Sequence, residues 1–345
     1  MKYDFDQVID RHGTDSSKWD CGAKLLKRGY TTRYDKETIP LFNADMDFKC
    51  APEIIKAMER VVARGIYGYT TLERKGGIEN MAIEVKNISY TYPGSTVTAV
   101  ENVSMKIEKG ERVAIIGQNG AGKSTTVKLM NNIYKPTSGE IIIDGINTKN
   151  QTTAQTAPHV GYVFQNPNDQ IFNDDVIKEI EYVLRYWKLS EEEIKRRREE
   201  AIDVTGIRPY LEMHPFDIPL PIRKFLTIAV VVAVSPDYVI LDEPTAGQDL
   251  WGCAQLRKVM DYLQSKGKAV ITISHDMEYV AENFERIIVM AHKNVIADGK
   301  KEDIFYQKDK LQEAYVKPPL STQIAQEVGI KKNILNMQEL INCYK

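Results

Sequence analysis

The residues Gly117-Gln118-Asn119-Gly120-Ala121-Gly122-Lys123-Ser124-Thr125 are of the types, in the order, that holding a polyphosphate requires. They fit the spacing G-x-x-x-x-G-K-[ST] in full. Several backbone N–H groups must converge on the phosphates, and glycines let the chain come that close. Lys123 brings a point charge and Ser124 a hydroxyl ligand for Mg²⁺. The context agrees, since Arg112–Ile116 reads as a short buried strand and Thr126 to Asn131 as the start of a helix. That helix turns the positive end of its dipole toward the loop.

A second constellation lies at Tyr238-Val239-Ile240-Leu241-Asp242-Glu243. Four apolar residues make a buried strand whose end delivers two adjacent carboxylates to the ligand edge of a sheet. Asp242 is placed to hold Mg²⁺, directly or through water, and Glu243 to polarise an attacking water. An apolar strand ending in acids is common, so the pair gains its meaning from the phosphate loop.

The elements that must position these groups follow from the patterning. Ala82 to Ser89 alternates apolar and polar residues, as a half-buried strand does. The apolar runs Arg112–Ile116, Val160–Phe164, Tyr238–Leu241, Ala269–Ile273 and Arg286–Met290 alternate with helical or loop segments. That order predicts an α/β protein with a mostly parallel sheet. The charged run SEEEIKRRREEAIDV reads as the solvated face of a helix. The apolar run Phe225 to Val234 is too short to cross a bilayer and reads as a buried helix.

Composition sets the outer bounds. The 345 residues are 43% hydrophobic and 27% charged, which are globular values, and the formal net charge of −2 gives no reason to expect a nucleic-acid partner. The four cysteines, Cys21, Cys50, Cys253 and Cys343, lie far apart with no CxxC pair, and so read as free thiols in a reducing compartment. The first residues, MKYDFDQVID, carry no apolar core of a signal peptide.

From about Met81 to Thr322 the chain resembles the ATP-binding cassette (ABC) ATPases. The resemblance implies the P-loop NTPase cassette fold: a mostly parallel sheet core, an antiparallel β part and a helical subdomain over about residues 166–235. It implies ATP and Mg²⁺ as the bound pair. Tyr92, in SYTYPG, matches the aromatic that stacks on adenine. Gln165, in GYVFQNP, matches the glutamine that senses the γ-phosphate, helps hold Mg²⁺ and contacts the transmembrane partner. Pro244-Thr245-Ala246-Gly247-Gln248-Asp249 follows the acidic pair as the family's D-loop does. His275, in ITISHD, matches the switch histidine that contacts the γ-phosphate and positions Glu243. Out of context each of these has a structural reading; their shared order around the two phosphate motifs favours the functional one.

The chain is more specifically similar to the ATPases of energy-coupling factor (ECF) importers. Gln165-Asn166-Pro167-Asn168-Asp169-Gln170-Ile171-Phe172 resembles their stretch after the glutamine. Lys317-Pro318-Pro319-Leu320, before Ser321-Thr322-Gln323-Ile324-Ala325, resembles their tail, placed here at residues 316–345. This resemblance implies a vitamin or metal-ion importer, with a transmembrane scaffold, a substrate-binding membrane component and a second ATPase subunit. It places the chain peripherally on the cytoplasmic face of a bacterial plasma membrane.

One part departs from the family. The signature segment LSGGQ falls in register on Ile218-Pro219-Leu220-Pro221-Ile222, so its serine hydroxyl and its Gly-Gly pair are gone and two backbone N–H donors are absent. Proline supplies no N–H, although Pro221 can open the following helix. Arg223 and Lys224 remain as sources of charge, but a mobile cation does not replace an ordered nest of N–H groups. Because cassettes of this family pair head to tail, the expectation is a heterodimer in which the partner supplies an intact signature.

The first 72 residues have their own resemblance, carried by Lys2-Tyr3-Asp4-Phe5-Asp6, Lys18-Trp19-Asp20, Ala44-Asp45-Met46-Asp47-Phe48 and Gly68-Tyr69-Thr70. They look like the start of cystathionine β-lyase-type C–S lyases, which are pyridoxal-phosphate enzymes of the aminotransferase fold. The Schiff-base lysine of that family lies on a large domain beyond the resemblance, so no lyase activity is expected. Residues 73–80 read as a linker, and Met81 as the natural start of a separate protein joined to a lyase remnant.

The competing readings are an ABC protein of DNA repair or translation, an ATPase of another transporter class, a regulatory cassette with weak hydrolysis, and a lyase. A short interval between the phosphate motifs without sustained heptads argues against repair. A single cassette argues against translation. Intact Lys123, Asp242, Glu243 and His275 argue against a purely regulatory role.

Overall fold

A computed structural model describes residues 81–343. The lyase-like stretch, the linker, Cys21, Cys50 and the helix expected over Pro52–Ala63 lie outside the described residues.

Two sheets make the framework. The first is antiparallel and four-stranded, built from β1 (Ala82–Thr91), β2 (Thr98–Glu108), β4 (Ser138–Ile143) and β5 (Ile146–Asn147) in the order β2-β1-β4-β5. The second contains β3 (Arg112–Ile116), β6 (Val160–Val163), β7 (Tyr238–Asp242), β8 (Ala269–Ile273), β9 (Arg286–Ala291) and β10 (Asn294–Lys300). Its order is β10-β9-β3-β8-β7-β6, with β10 antiparallel to β9 and every other neighbouring pair parallel.

Period-two alternation divides the parallel strands between two cores. Val113 and Ile115 of β3, with Tyr238 and Ile240 of β7, join Ile83, Val85 and Ile88 of the antiparallel sheet. Ala114 and Ile116, with Val239 and Leu241, face the opposite way into a helical layer. Strands buried on both faces explain why these segments read as unbroken apolar runs.

Six of the helices before β10 complete the frame: α1 (Lys123–Met130), α2 (Val176–Tyr186), α3 (Glu191–Thr205), α4 (Leu220–Val234), α5 (Leu250–Ser265) and α6 (Met277–Asn283). α1 packs Val127, Leu129 and Met130 between the two sheets. In the helical layer, Ile180 of α2, Ile202 of α3 and Phe225 of α4 share one core with α5. The charged run forms α3, capped by the Ser190 side chain, which accepts from the Glu193 N–H. Ile194, Ala201 and Ile202 turn inward, and the charges pair along the rest of its surface. One of those pairs is sheltered: Arg198 reaches Glu181 of α2 at 2.6 Å, and that carboxylate is only 5% exposed.

Beyond β10 the chain ends in short helices, among them α7 (Leu320–Glu327), which follows the Lys317-Pro318-Pro319 turn. Among the described residues no helix is long and apolar enough to cross a membrane. Cys253 and Cys343 are free thiols. The helix expected over Thr126 to Asn131 begins three residues earlier, at Lys123. Gly122, at φ 94°, closes the loop as its N-cap, which frees the following residues to start the helix at once.

Candidate functional site

Parallel pairing of β3, β8, β7 and β6 puts their carboxyl ends side by side, and the segment after each carries one part of the site. The phosphate loop follows β3, Gln165 follows β6 and Phe164, Glu243 follows β7, and His275 follows β8 and Ser274. Groups far apart in sequence thus meet because the strands that deliver them are neighbours. Asn119, Gly120, Gly122, Lys123, Ser124, Thr125, Gln165, Glu243 and His275 line one open cleft of about 420 Å³.

The loop has little freedom. Gly117 sits at φ 146°, where a Cβ would run into the carbonyl of Met290. Gly122 would bring a Cβ to 2.8 Å from the carbonyl oxygen of Ala99. Ala121 turns its methyl into the core. Lys123 folds back over the loop, its Nζ donating to the carbonyls of Gly117 at 2.7 Å and Gln118 at 2.9 Å. Burial pushes its pKa below that of an ordinary lysine, and the nearby Glu243 and Asp242 charges partly oppose the shift. A cation short of solvent beside open N–H groups is poised for a polyanion.

Below the loop, Ser124 Oγ lies 3.4 Å from Asp242 Oδ1. The other carboxylate oxygen accepts a 2.6 Å bond from the Tyr162 hydroxyl. Tyr162 is buried beside this charge, and both burial and the Asp242 carboxylate raise its pKa, so it stays a proton donor. Hydroxyl, carboxylate and amide oxygens are the hard donors that Mg²⁺ takes, so Ser124, Asp242 and Gln165 fit that ion chemically.

Glu243 is the hub of the edge. Its Oε2 accepts from Gln165 Nε2 at 3.0 Å, and its Oε1 lies 3.3 Å from His275 Nε2. Its backbone is left-handed, at φ 47°, with the N–H donating to Ile273 O at 3.0 Å. Tyr92 stands at the rim, 38% exposed, its hydroxyl 2.8 Å from Thr125 Oγ1. Its ring meets Tyr90 and Tyr134 edge-on.

Pro219, Leu220, Pro221 and Ile222 are not brought to this cleft. Pro219 caps α4, and Leu220 and Pro221 stand exposed at its start. Pro221 does open the helix, within its first two positions. The expectation that Lys224 supplies charge at that surface is corrected, whereas Arg223 keeps a partly exposed guanidinium there. Arg223 donates to the carbonyls of Ile218 and Phe216 and to Asn168 Oδ1 at 2.6 Å, bracing the loop. Lys224 points inward, 4% exposed, and donates to the carbonyls of Glu243 and Ala246.

Tyr162 and Lys224 were invisible as site residues in the sequence. Tyr162 reads as a strand aromatic and Lys224 as a surface charge on a helix. The partner of each lies 80 or 19 residues away, respectively. Another group of possible ligands, Asp144, His159 and Asp237, lies near the amino ends of β6 and β7, the opposite edge of the sheet. Asp237 is already paired with Lys109 and Lys268, and Asp144 accepts from Tyr238.

Comparison with known proteins agrees with this geometry. The family model described as ABC transporter matches residues 100–246. The energy-coupling factor transporter ATP-binding protein EcfA2 of Clostridium perfringens is 36% identical over 259 residues, which is 73% of this chain and 91% of that protein. A putative ABC transporter ATP-binding protein of Caldanaerobacter subterraneus is 33% identical over 273 residues, 79% of this chain, but the chain spans only 48% of its length. The structure of cbiO1 from Clostridium perfringens, part of the ABC transporter complex cbiONQ, superposes with a TM-score of 0.61 at 30% identity. That match covers 73% of this chain and 100% of cbiO1. The chain belongs to the ABC transporter ATP-binding protein family.

Proposed function

We propose that the chain binds MgATP in the cleft of β3, β8, β7 and β6, hydrolyses it, and powers an ECF-type importer of a vitamin or metal ion. The observation that carries this reading is the meeting of Gln165 and His275 on the two oxygens of the Glu243 carboxylate, beside the phosphate loop.

In this reading the backbone N–H groups from Gly117 to Thr125 and the Lys123 ammonium hold the phosphates, and Tyr92 offers its exposed face to the adenine. Ser124, Asp242 and Gln165 would hold Mg²⁺, which when bound neutralises charge on the phosphate oxygens. Glu243 accepts a hydrogen bond from the attacking water and orients its lone pair toward the terminal phosphate. Gln165 and His275 fix the carboxylate in that pose, and positioning of this kind accounts for most of the catalysis in phosphoryl transfer. The test is Glu243→Gln, which keeps shape and removes the base. Nucleotide affinity should stay within about threefold while turnover falls at least about a hundredfold. Equal turnover in both proteins would dismiss Glu243.

The partner reading rests on the proline-broken start of α4. A cassette that presents Pro219 and Pro221 where N–H groups are needed makes a poor second wall for another subunit's ATP. The chain therefore works as half of an asymmetric heterodimer: its own cleft closes on an intact signature from the partner, and the opposite site turns over slowly. Likeness to EcfA2 and cbiO1 supports the importer class, with a transmembrane scaffold and a substrate-binding membrane component as further partners. Such a subunit sits peripherally on the cytoplasmic face of the membrane.

A further inference from the structure

Lys224 has no part in the reading above, yet it is one of the few lysines in the described fold held away from water. It lies in the second turn of α4, just after the proline-broken segment. Its Nζ donates to the main-chain carbonyl of Glu243 at 2.9 Å and to that of Ala246 at 3.2 Å. Burial lowers its pKa, as expected for an ammonium that has given up solvent. A methionine would fill the same space without that cost, so the charge is kept for what it holds.

What it holds is an unfavourable turn. Glu243 is a non-glycine residue at φ 47°, a region that L-residues avoid. Its N–H is fixed by Ile273 O at 3.0 Å, and its carbonyl by Lys224. With the peptides on both sides of the Cα pinned, the direction of the Cα–Cβ bond is set, and the carboxylate at its end lies between Gln165 and His275. The second bond, to Ala246, ties the loop that follows to the same ammonium. A further link, from Gln248 Nε2 to Pro221 O at 2.9 Å, runs parallel to it between this loop and the start of α4.

We propose that Lys224 is a positioning residue for Glu243, its ammonium fixing the left-handed turn that aims the carboxylate between Gln165 and His275. The consequence for turnover rests on the reading of Glu243 as the group that orients the attacking water; the geometric claim does not. A cassette whose signature segment has lost two N–H donors to proline thus still uses the root of that helix to set its own catalytic carboxylate.

The test uses the full chain with isotope-labelled histidine, as wild type, Lys224→Met and Lys224→Arg, with His275→Ala to assign the ring resonances and Glu243→Gln as a reference. Methionine keeps the unbranched stem, and arginine keeps the donors. In Lys224→Met the His275 ring resonances should move toward those of Glu243→Gln, and Lys224→Arg should return them toward wild type. Binding of a fluorescent ATP analogue should stay within about threefold, while kcat falls about tenfold or more at unchanged KM. The proposal is overturned if Lys224→Met leaves the His275 resonances at their wild-type positions. It is also overturned if thermal stability, nucleotide affinity and turnover fall together in both variants, which is what a merely structural lysine would give. A wild-type chain whose turnover does not depend on Glu243 would sink the catalytic reading and leave the resonance test of positioning intact.

Discussion

Replacing Tyr162 with phenylalanine removes one oxygen and little else. The hydroxyl donates to Asp242 Oδ2 at 2.6 Å, and Tyr162 and Asp242 are only 6% and 3% exposed. Solvent therefore has poor access to repair the loss, and the aromatic packing against Phe164 remains. A hydrogen bond to a buried charged group contributes about 1.5–3 kcal/mol. For a domain of this size each kcal/mol moves the melting temperature by about 2–4 °C, so Tyr162→Phe should melt roughly 3–12 °C lower. The effect on binding should be smaller, because the bond exists with or without nucleotide. What is lost for binding is the fixed rotor of the Asp242 carboxylate, of order 0.5–1 kcal/mol, or about two- to fivefold in Mg²⁺-dependent nucleotide affinity. Differential scanning calorimetry of Tyr162→Phe, Asp242→Asn and the double variant would separate the pair term from other costs. A Tyr162→Phe melting temperature within about 1 °C of wild type, or strict additivity in the cycle, would refute the claim that this bond holds Asp242.

Other outcomes follow from the same geometry. Lys123 has a lowered pKa in the free chain, and the negative charge of a bound phosphate should raise it again. At alkaline pH nucleotide binding should therefore take up a proton and weaken as pH rises through the lowered value, which calorimetry in buffers of different ionisation enthalpy would read; Lys123→Ala should abolish the uptake. Gly122→Ala puts a Cβ 2.8 Å from the Ala99 carbonyl at φ 94°, so nucleotide affinity should fall at least about tenfold, as equilibrium titration would show. Hydrogen bonds from Arg196 and Arg197 lower the Glu193 pKa from 4.5 to about 2. Its folded-state pKa lies below the unfolded one, so the stabilisation is present above pH 4.5 and disappears as pH falls through about 2. All three side chains reach solvent, so the acid sensitivity of wild type over Glu193→Gln should be small and should shrink further in high salt.

The parts of the site that came through from sequence are those whose physics is local. Gly117 to Thr125 must be what they are because a loop and a helix start sit next to each other in the chain. The strands Arg112–Ile116 and Ala269–Ile273 stand where their apolar runs placed them, since burial on both faces leaves a pattern that needs no partner to read. The antiparallel strands from Thr98 to Glu108 and Ser138 to Ile143 carried weaker signals, because Glu101 and Asn102 interrupt the alternation of the first and the second opens on an exposed Ser138-Gly139. Tyr162 and Lys224 were illegible for a further reason: their polar tips find partners across the fold, and nothing in a strand aromatic or a helix lysine says which way the tip points. The altered helix start has the opposite explanation, since a left-handed Gly122 was enough to begin α1 at Lys123.

We propose for this chain a sound hydrolytic cleft and a poor signature surface. The most direct measurement of that claim is ATP turnover of the full chain alone and in complex with a second cassette that has an intact signature but lacks its own catalytic glutamate. The account predicts slow, non-cooperative turnover alone and a rise of at least about tenfold in the complex, abolished by Glu243→Gln in this chain. Fast, cooperative turnover by the chain alone, unchanged by the partner, would contradict it.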